Sequence, residues 1–331
     1  MPLVTQLTSV LGIQHPVICG GMHYVGYASL AAAVSNAGGL GMVTALTQPT
    51  PERLRQEIKK TRQLTSKPFG VNLTLLPALV PPDYDAYVDV VLDEKVKIVE
   101  TAGRNPDMYI RKLKAAGVIV IHKCVSIRHA LTAERLGVDF VSVDGFECAG
   151  HPGEEDVPNF VLLAQATRKL KVPFLASGGV GTGRQLAAAL ALGAEGVSMG
   201  TRFMATVEAP IHPRIKEAIV EANETSTTLV MRSLRNTERV YKNKVALEVQ
   251  HIEKERPGDI GAIRHLVKGE NYRKSFQETG DTESSVWSAG MVMGLIDQVL
   301  PCKDLIEGMV KEAEDIIKNR LNALVVPSSK L

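Results

Sequence analysis

Pro173-Phe174-Leu175-Ala176-Ser177-Gly178-Gly179-Val180-Gly181-Thr182-Gly183 is the stretch on which the fold turns. An apolar run of strand length opens into the richest glycine cluster of the chain, and a helical pattern, Gly183–Leu192, follows. The same strand-then-helix unit recurs on both sides. Strand-like runs lie at Val17–Met22, Leu40–Leu46, Phe69–Leu75, Lys97–Ala102, Val118–Cys124, Phe140–Gly145 and Gly196–Thr201. Amphipathic stretches follow most of them: Tyr27–Ala37, Pro51–Leu64, Met108–Ala116, Ser126–Leu136, Phe160–Leu170 and about His212 to Glu221. Such alternation requires parallel strands joined by right-handed crossovers. An open, doubly wound sheet would carry GxGxxG at its first βα turn. That turn reads Gly20-Gly21-Met22-His23-Tyr24-Val25 instead. Eight units with their glycines late, at the seventh strand, point to an α/β fold closed as a TIM (β/α)8 barrel, whose usual size is about 250 residues.

Two segments stand outside the repeat. Residues 76–86 are proline-rich (Pro77, Pro81, Pro82) and read as a long loop after the third strand. Residues 231–301 are polar and charged, then glycine-rich around Trp287, the only tryptophan. They are expected to form a smaller, mainly helical cap over the barrel mouth. The barrel then comprises residues 1–230 and 302–331, with a last helix from about Asp304 to Leu324 returning to its wall.

Bulk properties narrow the function. In 331 residues the apolar fraction is 45%, the charged fraction 22% and the formal net charge +2, which gives no electrostatic case for nucleic acid or a membrane surface. No apolar run reaches the roughly 18 residues of a membrane span, and the N-terminus lacks a secretory layout. Cys19, Cys124, Cys148 and Cys302 form no CxxC pair and read as reduced thiols of an intracellular, soluble protein. No His, Cys and carboxylate cluster has metal-ligand spacing, so no metal is expected. The chain ends Ser329-Lys330-Leu331, a peroxisomal address in a eukaryote and without meaning in a bacterium, where the protein would be cytoplasmic.

Active sites of such barrels lie at the C-terminal ends of the strands. Two adjacent loops there, Ser177–Gly183 and Ser198-Met199-Gly200-Thr201, combine glycines with hydroxyls at helix starts. Backbone N–H groups and the positive helix end suit a phosphate at that place. On the third strand Gly70, Asn72 and Thr74 share one face, and buried polar groups need partners. Lys123 is the charged end of an apolar strand; it either ends in a salt bridge or faces a ligand on which negative charge collects. His151 follows a glycine-rich turn and is fixed by Pro152. Its ordinary pKa near 6.5 suits it to give or take a proton. His23 and His122 also sit at strand tops.

Several of these strings, together with others in the chain, resemble the nitronate monooxygenase family, also called 2-nitropropane dioxygenases. They are Pro16–Met22, Gly70–Thr74, His122-Lys123-Cys124, Asp144–Gly153, Ala176–Gly179, Met199–Phe203, Met231–Thr237 and Trp287–Met291. His122-Lys123-Cys124, Glu147–Gly153 and Met231–Thr237 look most like the branch of FMN-dependent NADH:quinone reductases. The resemblance implies an FMN-dependent oxidoreductase with NADH or NADPH as co-substrate. It implies FMN contacts at Gly21, Met22, His23, Thr74, Lys123, Gly150, Gly179, Val180, Gly181, Thr182, Gly200 and Thr201. It places His151 on the substrate side of the flavin ring, as the catalytic residue. The loop near Pro77 resembles the segment that admits the nicotinamide nucleotide, but here it continues Ala78-Leu79-Val80 without polar side chains.

Four functions follow as expectations. The first is NAD(P)H:quinone reduction by hydride transfer through FMN. The second is nitronate monooxygenation with O2. The third is FMN-dependent reduction of an enoyl-acyl-carrier substrate. The fourth is a phosphate-ligand module without catalysis, against which the polar groups facing the ligand count. The expected partners are a small-molecule quinone or nitronate; a homodimer is compatible with this reading.

Overall fold

The structure, a computed structural model, describes residues 3–75 and 82–325. Most of the proline-rich loop, Pro77 included, and the terminal Ser329-Lys330-Leu331 lie outside the described residues.

The eight apolar runs become eight parallel strands: β1 (Val17–Cys19), β2 (Gly41–Thr44), β3 (Phe69–Leu75), β4 (Ile98–Gly103), β5 (Ile119–Cys124), β6 (Phe140–Asp144), β7 (Phe174–Ser177) and β8 (Val197–Met199). Neighbours in sequence are neighbours in space from β2 through β8, and β1 pairs with β8 through Val17↔Val197, Ile18↔Ser198 and Cys19↔Met199. The seam shuts where Leu40, just before β2, exchanges backbone hydrogen bonds of 2.9 Å with Val17 and Cys19. The TIM barrel expected from the repeat is therefore the observed fold.

Because strand side chains alternate faces, residues two apart share the barrel interior. Ile18, Met42, Ile98, Ile121, Phe140 and Leu175 fill its lower part in one apolar cluster, closed from beneath by Leu7 and Leu11. Two positions further along the same strands the interior turns polar: Thr44, Asn72, Glu100, Lys123, Ser142 and Ser177. Burial of the apolar layer stabilises the barrel; the polar layer above it is the floor of the site.

The helices are α1 (Gln6–Leu11), α2 (Ala28–Asn36), α3 (Pro51–Leu64), α4 (Tyr84–Asp93), α5 (Asp107–Ala115), α6 (Ile127–Arg135), α7 (Asn159–Lys169), α8 (Gly183–Ala191), α9 (Thr201–Met204), α10 (Pro213–Glu221), α11 (Lys244–Glu255), α12 (Ile260–Ile263), α13 (Gly269–Lys274) and α14 (Cys302–Asp315). α3 begins as its sequence predicts, with Pro51 at the first turn and the Thr50 hydroxyl accepting from the Arg53 N–H. α4 is a correction. The sequence places a loop through Ala86 and no helix before the fourth strand, but Asp83 accepts from the Ala86 N–H and starts a helix there. Its β-branched, acid-rich sequence is a poor helix former, so packing of Tyr87, Val88, Val90 and Val91 against the barrel decides it.

The cap is not helical throughout. Thr227–Val230 (β9) and Glu238–Tyr241 (β10) form an antiparallel hairpin, and Val230, Val240, Ala246, Val249 and Ile263 make a separate small core. Trp287 stacks on Tyr241 at 4.5 Å between ring centres and meets Phe276 edge-on at 5.6 Å, which joins three segments of the cap, and Phe276 and Trp287 belong to the same apolar core as the outer faces of the barrel strands. α14 then packs along α8, with the Glu312 carboxylate accepting from the Gly183 N–H at 2.9 Å. Beyond Asp315 the helix continues as a π turn, Ile316–Leu321. Among the described residues no helix is long and apolar enough to cross a membrane. All four cysteines are buried and free.

Candidate active site

The polar layer and the cap enclose a cavity of about 460 Å³ at the C-terminal ends of the strands. Glu100 organises its floor. One carboxylate oxygen accepts from the Gly21 N–H at 2.9 Å and from the Asn72 amide at 2.8 Å. Asn72 in turn accepts from the Thr74 hydroxyl at 3.0 Å. Gly21 has to be glycine here, because a Cβ would stand 2.1 Å from Asn72 Cγ. Lys123 Nζ lies 3.4 Å from Asp144, whose other oxygen accepts from the Ser142 hydroxyl at 3.0 Å. Burial opposes the lysine charge, but Asp144 first and Glu100 after it outweigh burial and hold the ammonium above the usual lysine range. The floor is thus a cation held between two buried carboxylates; it fulfils the salt-bridge reading of Lys123, and part of the lysine side chain lines the cavity.

The opposite pole is built from backbone. Gly178 and Gly179 take φ of +87° and +72°, which turns the chain after β7 so that it lines the cavity. The Asn159 amide donates to the Ser177 carbonyl at 2.6 Å and to the Gly178 carbonyl, clamping that turn from outside. The N–H groups of Gly179 and Val180 have no acceptor among the described residues. Thr201 opens α9 beside them, and its hydroxyl accepts from the Gly290 N–H at 3.0 Å, which ties the cap to the same place. Ser198 Oγ is buried beneath without a hydrogen-bond partner. Gly181 and Thr182 stand one layer behind: the Gly181 N–H donates to Gln185 at 2.9 Å and Thr182 caps α8. Of the twelve residues expected at the cofactor, those two are absent from the cavity wall, while Gly21, Met22, His23, Thr74, Lys123, Gly150, Gly179, Val180, Gly200 and Thr201 line it.

Three histidines reach the strand tops, and the structure separates them. His122 is buried, with Nδ1 2.8 Å from the Thr101 hydroxyl. Burial pulls its pKa down to about 4, partly offset by Thr101 and Asp144. His23 lines the cavity and stacks on Tyr24 at 3.9 Å, and desolvation by its surroundings pulls its pKa below the usual value. His151 lines the cavity with no hydrogen bond or ion pair from its ring among the described residues. Its loop is held by the cap: Gly150 and Arg239 exchange backbone hydrogen bonds of 3.1 and 2.6 Å, and Glu154 accepts from the Thr237 N–H at 3.0 Å. His151 is therefore positioned by its backbone while its side chain is free to meet a ligand.

His122 yields a prediction for stability. A buried base with a lowered pKa adds no pH dependence above its unfolded value near 6.5. As pH falls from 6.5 toward 4, the unfolded chain takes up a proton that the folded chain refuses, which costs up to roughly 3 kcal/mol. Urea unfolding of His122→Gln at pH 7 and pH 5 should show a shallower loss of stability than the parent. An identical loss in both proteins would mean that the imidazole is solvated in the folded state.

Sequence reasoning missed Glu100, Asp144 and the cap residues Glu238, Tyr272, Ser288 and Gly290, all but Glu100 in the cavity wall. Glu100 carried a readable signal, since it interrupts the apolar run Ile98–Ala102 just as Lys123 ends its own. Of the cap residues, Ser288 and Gly290 lie in the string Trp287–Met291 but carried no sign of facing the cavity, and Glu238 and Tyr272 carried none at all, being placed by long-range packing.

A polar-floored cavity, a glycine-lined anion pole and a histidine without a protein partner among the described residues, at the C-terminal ends of TIM-barrel strands, are features an oxidoreductase site would use. The comparisons agree. The family model described as nitronate monooxygenase matches residues 4–87 and 78–312, and the chain belongs to that family. A Rhodococcus jostii (3aS,4S,5R,7aS)-5-hydroxy-7a-methyl-1-oxo-octahydro-1H-indene-4-carboxyl-CoA dehydrogenase is 34% identical, covering 94% of this chain and 96% of its own length. A probable nitronate monooxygenase from Staphylococcus saprophyticus is 29% identical over 96% of this chain and 99% of its own. Among solved structures, FabK from Thermotoga maritima is 40% identical with a TM-score of 0.89, covering 98% of this chain and all (100%) of its own. A nitroalkane oxidase from Streptomyces ansochromogenes has a TM-score of 0.81 at 26% identity, over 96% of this chain and 99% of its own.

The residues present fit a flavin nucleotide. The free N–H groups of Gly179 and Val180 suit its phosphate, and the unpartnered Ser198 hydroxyl lies along the same wall. Gly21 and Lys123 flank the floor on which a ring would lie.

Proposed function

We propose that this oxidoreductase is an FMN-dependent NAD(P)H:quinone reductase. The observation that carries the reading is the charge arrangement around His151. The Lys123 ammonium is already balanced by Asp144 and Glu100, and Glu238 stands in the cavity wall, hydrogen-bonded by the Ser288 hydroxyl at 2.6 Å. Such a cavity offers an anionic nitronate little net attraction and suits a neutral, planar acceptor. Bound FMN would carry the two electrons taken as hydride from the pyridine nucleotide. His151, free of protein partners among the described residues, would bind one quinone oxygen and supply one proton to it, the other hydrogen of the hydroquinone arriving with the two electrons as hydride, and would be reprotonated from solvent. Tyr272, Val286 and Val292 from the cap roof the cavity and exclude water from that proton.

A second reading, reduction of an enoyl thioester, is supported by the 40% identity to FabK and by the CoA dehydrogenase relative. One experiment separates the readings. The flavin-loaded protein is mixed anaerobically with NADH or NADPH, then with a benzoquinone or crotonyl-CoA. Rapid bleaching by a nucleotide and recovery of colour with the quinone are expected. Recovery with crotonyl-CoA alone would favour the second reading. Oxygen uptake with propionate 3-nitronate, without bleaching by either nucleotide, would overturn both in favour of nitronate monooxygenation.

A further inference from the structure

A second groove, of about 810 Å³, lies beside the cavity and shares seven residues with its wall, Gly21, Thr74, Lys123, Asp144 and His151 among them. Its outer side is basic. Arg104 follows β4, Arg128 and His129 occupy the first turn of α6, and Arg235 comes from the cap. All four are exposed. The three guanidinium groups make no ion pair or hydrogen bond among the described residues, a state they share with Arg168, Arg214, Arg264 and Arg320; what sets them apart is that three elements bring them to one groove. The carboxylates in the groove are mostly committed elsewhere: Asp144 to Lys123, and Glu154 to the N–H and hydroxyl of Thr237, leaving Glu155 at the rim. Ser126 caps the nine-residue α6, whose positive end opens on the same space.

We infer that this groove binds the diphosphate of an adenine nucleotide whose reactive end reaches His151. Three guanidinium groups from three separate elements suit an extended polyanion rather than a single phosphate, and forked donors pair with its oxygens two at a time. The groove is also larger than the cavity it joins, so it accommodates more than a redox ring. Two partners carry this chemistry, a nicotinamide nucleotide and a coenzyme A thioester. The inference deepens the proposed function and rests on its reading that the partner of the flavin arrives on a nucleotide.

The test is calorimetric titration of ADP into the FMN-loaded protein, with NADH and coenzyme A as competitors. ADP should bind, and Arg128→Gln and Arg104→Gln should each raise its dissociation constant about tenfold. Anaerobic bleaching by N-benzyl dihydronicotinamide, which lacks the diphosphate, should be unchanged in both variants. Displacement of ADP by NADH identifies the hydride donor as the source, and displacement by coenzyme A alone identifies the thioester. If NADH bleaches the flavin but ADP does not bind, or binds both variants as tightly as the parent, the groove assignment fails and the NAD(P)H reading stands. If ADP binds as stated but NADH neither displaces it nor bleaches the flavin, the groove stands and the NAD(P)H reading fails.

Discussion

His151→Ala should keep its flavin and lose turnover. Nothing in the protein leans on the imidazole, since its ring has no partner among the described residues. Its removal therefore strands no buried group, and the Gly150–Arg239 backbone pair still holds the loop. A positioned acid or base contributes typically about 10²–10⁴-fold to rate, and the loss should fall in that range. The two half-reactions show where the loss lies. Bleaching by a pyridine nucleotide should change little, because hydride transfer needs no proton from His151, whereas reoxidation by a quinone should slow by most of the total. Equal slowing of both halves would indicate a binding role instead. Full activity of the variant would remove His151 from the mechanism.

Lys123→Met should be the most destabilising of the substitutions considered. Methionine matches the stem in length, so packing changes little. The charge balance does not survive, because Asp144 and Glu100 then face each other's side of the barrel interior without a cation. Removing one partner of a buried charge cluster costs roughly 3–5 kcal/mol, and the lower end applies here since 23% of the lysine side chain is accessible from the cavity. Urea unfolding of the flavin-free protein measures the effect apart from ligand binding. Adding Asp144→Asn to Lys123→Met should recover part of the loss, because one uncompensated charge is removed with the other. A double variant no better than the single one would show that Lys123 acts through packing.

The site was unevenly legible. Ser177–Gly183 announced an anion pole because glycine and hydroxyl residues act locally, through backbone conformation and the start of the next helix. Yet the same string could not show that Gly181 and Thr182 turn away to Gln185 and α8 while Gly179 and Val180 face the cavity. Three histidines sit at strand tops, and the sequence preferred His151 through its loop and the family resemblance, without showing what surrounds any of them. In the structure Thr101 and burial occupy His122, Tyr24 and the wall hold His23, and the ring of His151 has no such partner among the described residues. The residue that partners His122 lies 21 positions away and the one that partners Asn72 lies 28 away, so local pattern carries no trace of either pairing, even where Glu100 stands out in its own strand.

The sequence by itself determined the eight strands, the helices that follow all but the third, their closure into a barrel and the end of the barrel that holds the site. Strand and helix periodicity are properties of a few consecutive residues, and the handedness of crossovers leaves few ways to join eight such units. It also determined the family, through ordered strings along nearly the whole chain. Tertiary structure alone decided the charge state of the floor, the free histidine, the hairpin in the cap and the unpaired arginines of the outer groove. Each depends on which distant groups come within hydrogen-bonding or Coulomb range once the barrel closes, and on how much water that closure leaves between them.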